Sequence, residues 1–122
     1  MNILLDTHAV IWWDNDELPS PVTKRIQRAE RVYVSAVSAW EIAIKQALGK
    51  IAAKARVADI IQDYDFTELA ISVSHTEQLS GLPKLHRDPF DRLLIAQALS
   101  EELVLVTADK TIARYPVPTA WG

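Results

Sequence analysis

The chain has 122 residues, of which 49% are hydrophobic and 24% charged, and its formal net charge is −3 at pH 7. It contains no cysteine, which excludes disulfides and thiolate metal sites, and it has no apolar run near the roughly 20 residues that a membrane-spanning helix needs. The acidic balance does not favour nucleic-acid binding through bulk charge, so any phosphate binding has to come from local basic side chains or from a bound cation.

The length is typical of one domain with one hydrophobic core, and we expect residues 1–122 to form a single domain. The N-terminus has no basic region leading into an apolar segment, so we expect no signal peptide. The lack of cysteine fits a reducing compartment, and we expect a cytoplasmic location.

Short apolar runs alternate with helical patterns along the chain, and polar, Pro and Gly residues separate them. In chain order, the predicted elements are a strand over Asn2 to Leu5, helices over Thr7 to Trp13 and Val22 to Ala29, a strand over Arg31 to Val34, helices over Ser35 to Leu48 and Ala53 to Tyr64, a strand over Glu68 to Ile71, helices over Ser74 to Leu79 and Pro89 to Glu101, a strand over Leu103 to Val106 and a helical turn over Asp109 to Arg114. This alternation predicts an α/β, doubly wound fold: a three-layer sandwich in which helices flank a mostly parallel, twisted sheet of four to five strands.

Two acidic residues follow predicted strands. Asp6 comes directly after the first strand, and Asp109 follows Val106 after the short step Thr107-Ala108. Ligands of open α/β sheets bind beyond the carboxyl ends of the strands, so both residues are candidates for a binding site. Each is also a favoured N-cap residue for the helix that follows it, and the sequence leaves both roles open.

Glu41 lies on the face of its helix that should pack against the core. At about 100° per residue it shares a stripe with Val37, Ile44 and Leu48. Burying an unpaired carboxylate costs several kcal/mol or forces its protonation, so this position needs a cation. The cation is either a metal ion or Lys45, which is four residues further along the helix.

Asp91 repeats this pattern on a later helix, where it shares an apolar stripe with Leu94, Ile95 and Ala98. An acid at this position can also serve the first turn of the helix. We assign the N-cap to Asp88, which precedes a proline, and expect Asp91 to face the core. Asp88 remains a candidate auxiliary residue of the same site.

Four carboxylates in one crevice cannot all stay ionised without a counter-charge. A hard divalent cation with oxygen ligands resolves this, and Mg²⁺, with Mn²⁺ as a substitute, is the expected cofactor. The absence of cysteine and of histidines at ligand spacing argues against zinc. Such ions activate water and hold the oxygen atoms of a phosphodiester, so the acids predict metal-dependent hydrolysis of that bond.

Four segments in this order resemble those of the PIN-domain nucleases, and within them the VapC-type toxins of bacterial toxin–antitoxin pairs. The segments are Met1 to His8, Val37 to Lys45, Asp88 to Ala98 and Val106 to Asp109, so the resemblance extends over almost the whole chain. It implies a PIN-like fold and a metal-dependent endoribonuclease that hydrolyses RNA. It also implies a homodimer that is silenced by a VapB-like antitoxin protein, whose C-terminal segment reaches the active site.

The resemblance also implies roles for individual residues. Asp6 and Asp91 are similar to the family's principal metal ligands, whereas Glu41 and Asp109 are similar to its second ligands or water-orienting groups. Two hydroxyl residues near these acids, Thr7 and Thr107, correspond to supporting positions.

Basic residues lie around the loop that leads to Asp91. Lys84, Arg87 and Arg92 either form a rim that contacts RNA phosphates or belong to a solvated charged loop. His86 lies in the same loop, and a lone histidine is more often a structural hydrogen-bonding residue than a catalytic base.

Two other functions are compatible with parts of the pattern. A catalytically silent PIN-like module would keep the fold and bind a partner without cutting RNA. A phospho-receiver domain shares the size and the Mg²⁺ requirement, but it needs an acidic pair after the first strand and a phosphoacceptor Asp after the middle strand. This chain has Thr7 after its single acid and Ser35 after the second strand.

Overall fold

The computed structural model describes residues 1–51 and 56–122. These residues form a three-layer α/β structure around a five-stranded parallel sheet with the strand order β3-β2-β1-β4-β5. The strands are β1 Asn2–Leu5, β2 Arg31–Ser35, β3 Thr67–Leu69, β4 Val104–Val106 and β5 Thr119–Ala120. The helices are α1 Thr7–Asp14, α2 Ser20–Arg28, α3 Ala36–Ala47, α4 Val57–Asp63, α5 Val73–Gln78 and α6 Pro89–Ser100, with 3₁₀ turns at Leu79–Gly81 and Ile112–Arg114.

Alternating side chains of the central strand serve two cores. Ile3 and Leu5 face one side of the sheet, where α1, α2 and α4 pack. Leu4 faces the other side and packs with residues of α6. All three side chains are fully buried. This two-sided burial explains why the strands read as continuous apolar runs, and it confirms the predicted fold class.

Two of the differences between the structure and the sequence-based elements concern the third and the fifth strand. The third strand was predicted over Glu68 to Ile71 but covers Thr67–Leu69, since its ladder with β2 ends at Leu69 and Ile71 is exposed. The fifth strand was not predicted. It has two residues after Pro118, too few for a pattern, and it pairs with β4 through register contacts such as Leu105 with Thr119. The start of the helix predicted from Ala53 lies outside the described residues.

The stripe predicted along α3 is buried only in its first half. Val37 and Glu41 are buried, whereas Ile44 is 37% and Leu48 63% exposed. The first turns of α3 pack against α1 and α6, and the later turns extend beyond them into solvent. The expectation of a core-facing stripe over the whole helix was therefore wrong for Ile44 and Leu48. None of the helices in the described ranges is long and apolar enough to cross a membrane.

Candidate metal centre and active site

The candidate site lies at the carboxyl ends of β1 and β4, where the strand order changes direction. From β1 the chain continues to β2 and β3 on one side of the sheet, whereas β4 and β5 lie on the other side. The crevice at such a switch point is the usual ligand site of an open α/β sheet. Asp6 and Asp109 enter it from the ends of the two strands, and Glu41 and Asp91 enter it from α3 and α6.

Asp6 caps α1 and is still available to the site. Its Oδ1 accepts a hydrogen bond of 2.8 Å from the Ala9 N–H, and the Thr107 hydroxyl also bonds the carboxylate. Only 4% of the residue is exposed. Burial raises the pKa of the Asp6 carboxyl, and the hydrogen bonds from Thr107 and Ala9 offset only part of this effect. A nearby cation would stabilise the ionised form.

Asp109 divides its two oxygen atoms between capping and the site. Oδ1 accepts hydrogen bonds from the Thr111 N–H at 2.7 Å and the Ile112 N–H at 3.2 Å, whereas Oδ2 lies 3.0 Å from His86 Nε2. Partial burial acts to raise the pKa of Asp109, but the bonds from His86 and the two backbone N–H groups lower it on balance. For Asp109, capping and a role in the site are therefore compatible, although the sequence presents them as alternatives.

Asp91 is in contact with His86 and close to Asp109. Its Oδ2 lies 3.1 Å from His86 Nε2, and ligand atoms of His86, Asp91 and Asp109 all lie within 4.8 Å of one another. The pKa of Asp91 is raised from 3.8 to about 7. Burial is the largest cause, followed by the charge of Asp88, with smaller contributions from Glu41 and Asp6, while His86 lowers the pKa.

Glu41 is 2% exposed, and its expected partner contacts only one of its two carboxylate oxygens. Its Oε2 accepts a hydrogen bond from Lys45 Nζ, the pairing that the sequence offered as the alternative to a metal. Its Oε1 is buried without a hydrogen-bond partner among the described residues. The hydrogen bond to Glu41 raises the pKa of Lys45, and so do the charges of Asp88 and Asp91, so Lys45 lies in the field of these three carboxylates.

The remaining predicted residues have defined contacts. Asp88 caps α6, since its Oδ1 accepts from the N–H groups of Phe90 and Asp91 at 2.8 and 3.2 Å. Thr107 also accepts from the Asp109 N–H at 3.0 Å, so it links the acids of both strands. The Thr7 hydroxyl is 3.0 Å from Ser38 Oγ and ties α1 to α3.

The three residues of the predicted basic rim differ in their contacts. Arg92 donates to the carbonyl oxygens of Pro83 at 3.1 Å and Leu79 at 3.4 Å, so it holds the loop in place. Lys84 and Arg87 are exposed. Contact of Lys84, Arg87 and Arg92 with RNA stays a prediction.

Tyr115 is a supporting residue that the sequence analysis missed. Its buried hydroxyl accepts hydrogen bonds from the N–H groups of Leu85 at 3.1 Å and His86 at 2.8 Å. A buried tyrosine usually has a hydrogen-bond partner, and this is the one signal that the sequence offers. The partner lies about 30 residues away, so local patterns could not identify it.

The donor set fits a hard divalent cation. Carboxylate oxygens converge from four elements, one buried carboxylate oxygen has no hydrogen-bond partner among the described residues, and burial, followed by the charges of neighbouring acids, raises the pKa of Asp91. Oxygen donors of this kind suit Mg²⁺ or Mn²⁺ better than zinc. A bound cation would satisfy Glu41 Oε1 and reverse the repulsion among the acids.

The affinity for Mg²⁺ is expected to rise with pH up to about 7. Because the pKa of Asp91 is about 7 without metal, binding below that pH has to release a proton. The apparent affinity should fall up to about tenfold for each pH unit below 7 and level off above it. Calorimetry in two buffers of different ionisation enthalpy measures this release. Equal affinities at about pH 6 and about pH 8 would contradict the expectation.

Comparisons with known proteins show which family the chain resembles. The family model of the PIN domain matches residues 3–118. Ribonuclease VapC22 of Mycobacterium tuberculosis is 28% identical over 131 residues, with 98% of each chain covered.

Solved structures share the fold at low sequence identity. VapBC2 from Rickettsia felis, bound to a DNA fragment from its promoter, superposes with a TM-score of 0.74 at 16% identity, covering 100% of this chain and 99% of that one. VapBC from Salmonella typhimurium, also bound to DNA, gives a TM-score of 0.71 at 16% identity over 98% and 97% of the two chains. FitAcB from Neisseria gonorrhoeae gives 0.69 at 20% identity over 100% and 97%.

Proposed function

This chain belongs to the PIN domain family, and from that premise we propose that it is a Mg²⁺-dependent endoribonuclease and the toxin of a toxin–antitoxin pair. The observation that carries the proposal is the convergence of four acids at the switch point, one of them with a buried carboxylate oxygen that has no hydrogen-bond partner in the part of the chain that the structure describes. The similarity to Ribonuclease VapC22 supports RNA as the substrate. Membership of the PIN family replaces the phospho-receiver interpretation. A single domain over residues 1–122 and a cytoplasmic location are part of the proposal.

The four acids have separate roles in the proposed reaction. Asp6 and Asp91 would hold the cation, for which Mn²⁺ can substitute, and Glu41 and Asp109 would complete its shell or orient the attacking water. When bound, the cation supplies charge that lowers the pKa of the water and neutralises the phosphate. No donor from residues 1–51 or 56–122 contacts Glu41 Oε1, so this oxygen can accept a hydrogen bond from that water. Thr107 holds Asp6 and the backbone of Asp109 in place.

A protein partner is supported by an apolar face on α3. Trp40 is 54%, Ile44 37% and Leu48 63% exposed, and the three residues are spaced four apart along one side of the helix. Exposed apolar residues in such a row are typical of protein contacts. The compared VapBC structures are complexes, and we propose a VapB-like antitoxin and a second copy of this chain as partners. Lys84, Arg87 and Arg92 are the proposed contacts to RNA.

Cleavage of RNA by the purified, partner-free protein tests the function. We expect endonucleolytic products with Mg²⁺ or Mn²⁺, no products with EDTA, and recovery when excess Mg²⁺ is added. An Asp6→Asn variant purified in parallel controls for contaminating ribonuclease. Intact RNA with Mg²⁺ present, together with binding of RNA or antitoxin, would favour the catalytically silent module instead.

A further inference from the structure

His86 lies between two of the proposed metal-binding acids. Its Nε2 is 3.1 Å from Asp91 Oδ2 and 3.0 Å from Asp109 Oδ2. The three residues come from the loop before α6, from α6 itself and from the segment after β4. One imidazole nitrogen therefore contacts carboxylates that the fold brings together from separate parts of the chain.

The opposite nitrogen of the ring defines which atom carries the proton. The Asp88 N–H lies 3.1 Å from His86 Nδ1 and donates a hydrogen bond to it. A backbone N–H can only donate, so Nδ1 must present a lone pair. The proton of the neutral ring is then on Nε2, which is the atom that faces Asp91 and Asp109.

The backbone of His86 is held as firmly as its ring. The buried Tyr115 hydroxyl accepts from the His86 N–H at 2.8 Å and from the preceding Leu85 N–H at 3.1 Å. Asp88, which bonds the ring, is itself fixed as the N-cap of α6. These contacts set the position and direction of Nε2–H before any cation binds.

We propose that His86 is a positioning residue whose Nε2–H, by its hydrogen bond to Asp109 Oδ2, holds that carboxylate beside Asp91 for a divalent cation, and that it is not a ligand of that cation. The inference rests on the proposed function for its metal. A nitrogen that carries a proton has no lone pair to offer a metal, whereas each carboxylate oxygen keeps one after accepting a hydrogen bond. Hydrogen bonds to ligating carboxylates orient them and strengthen metal sites in this way.

The His86 ring, whose Nδ1 accepts from the Asp88 N–H, differs from Lys45 as a nitrogen donor to the acids. Lys45 brings a full positive charge to Glu41 and therefore competes with a metal for that carboxylate. His86 Nε2–H donates a hydrogen bond to Asp109 Oδ2 beside Asp91, and its Nδ1 accepts from the Asp88 N–H, so in this arrangement the ring does not oppose the charge of an incoming cation. His86 can therefore keep its place in both the metal-free and the metal-loaded protein.

Nuclear magnetic resonance of the ¹⁵N-labelled protein tests the protonated atom directly. Two-bond ¹H–¹⁵N correlations distinguish a protonated from an unprotonated ring nitrogen, and Mg²⁺ is diamagnetic. We expect His86 Nε2 to be protonated without metal and to remain so at saturating Mg²⁺. A ring whose proton moves to Nδ1 when Mg²⁺ binds would make Nε2 a ligand and overturn the proposal.

Calorimetric titration of Mg²⁺ into His86 variants tests the positioning role. His86→Leu removes the donor and should weaken Mg²⁺ binding about 10- to 100-fold, whereas His86→Gln, which keeps an N–H donor, should stay within about threefold of wild type. His8→Leu changes an exposed histidine beside Asp6 and is the matched control. Unchanged affinity in His86→Leu, or equal loss in both His86 variants, would overturn the proposal.

The two proposals fail in different ways. Mg²⁺ binding with the expected His86 behaviour but without RNA cleavage would overturn the proposed function alone. A wild-type protein that binds no Mg²⁺ would overturn both. RNA cleavage with Nε2 acting as a ligand would overturn the role of His86 alone.

Discussion

Asp91→Asn is expected to abolish RNA cleavage and, at the same time, to make the metal-free protein more stable. The carboxylate is a proposed metal ligand, and losing a few kcal/mol of transition-state stabilisation corresponds to a rate at least about 10³-fold lower. Without metal the same carboxylate is unfavourable, because burial and the charge of Asp88 raise its pKa to about 7. Asparagine keeps the shape of the side chain and one oxygen acceptor but carries no charge.

The sign of the stability change follows from linkage. The folded, metal-free protein binds the Asp91 proton more tightly than the unfolded chain does, so stability falls as the pH rises from 3.8 to about 7. Above that range the variant should be more stable by about 2 kcal/mol, which is less than the full pKa shift implies because the side chain is partly solvated. Wild type and variant should converge at about pH 4.

Denaturant unfolding in EDTA and a cleavage assay in Mg²⁺ measure the two effects. Asp63→Asn, at an exposed position that ends α4, is the matched control and should change neither. In the variant, Mg²⁺ should no longer raise the unfolding free energy as it does in wild type. A variant that cuts RNA at the wild-type rate, or that is less stable than wild type in EDTA above about pH 7, would remove Asp91 from the proposed site.

The layers of the fold were predictable because burial on both faces of a parallel sheet leaves a visible pattern. Ile3, Leu4 and Leu5 are all apolar because alternate side chains enter different cores. The two-residue strand β5 could not be predicted in this way. Its pairing with β4 includes backbone hydrogen bonds from the Leu105 N–H to the Pro118 carbonyl at 2.9 Å and from the Thr107 N–H to the Ala120 carbonyl at 3.0 Å, and side-chain patterns do not reveal such bonds.

The site could be predicted where an acidic residue occupies a helix position that is otherwise apolar. Glu41 and Asp91 were candidates because acids on apolar stripes need a counter-charge. Asp109 was ambiguous because a capping role is visible in sequence, and only coordinates show that one oxygen caps while the other faces His86. His86 was assigned a structural role, but its contact with two acids depends on the distant Tyr115 hydroxyl, which no spacing along the chain encodes.

Lys45→Met is expected to destabilise the metal-free protein far more than the loss of a surface ion pair would. An exposed pair four residues apart on a helix contributes a few tenths of a kcal/mol. Here the Glu41 side chain is 3% exposed, and its other oxygen has no hydrogen-bond partner among the described residues. Removing the partner of a buried charge costs about 3 to 5 kcal/mol. Since the Lys45 side chain is itself 32% exposed, we expect a loss of about 2 to 3 kcal/mol.

Mg²⁺ and a second substitution distinguish this mechanism from a general packing defect. A metal ion at Glu41 would supply the missing charge, so the deficit of Lys45→Met should shrink at saturating Mg²⁺. Glu41→Gln removes the charge at nearly constant shape. In EDTA, the Lys45→Met/Glu41→Gln double variant should therefore regain most of the unfolding free energy that Lys45→Met alone loses. Lys24→Met, at an exposed position on α2, should stay within about 0.5 kcal/mol of wild type. Two results would contradict this mechanism: a stability deficit that is equal with and without Mg²⁺, or strictly additive effects in the double variant. Either would mean that Lys45 is not the counter-ion of Glu41 and that this carboxylate does not require a cation.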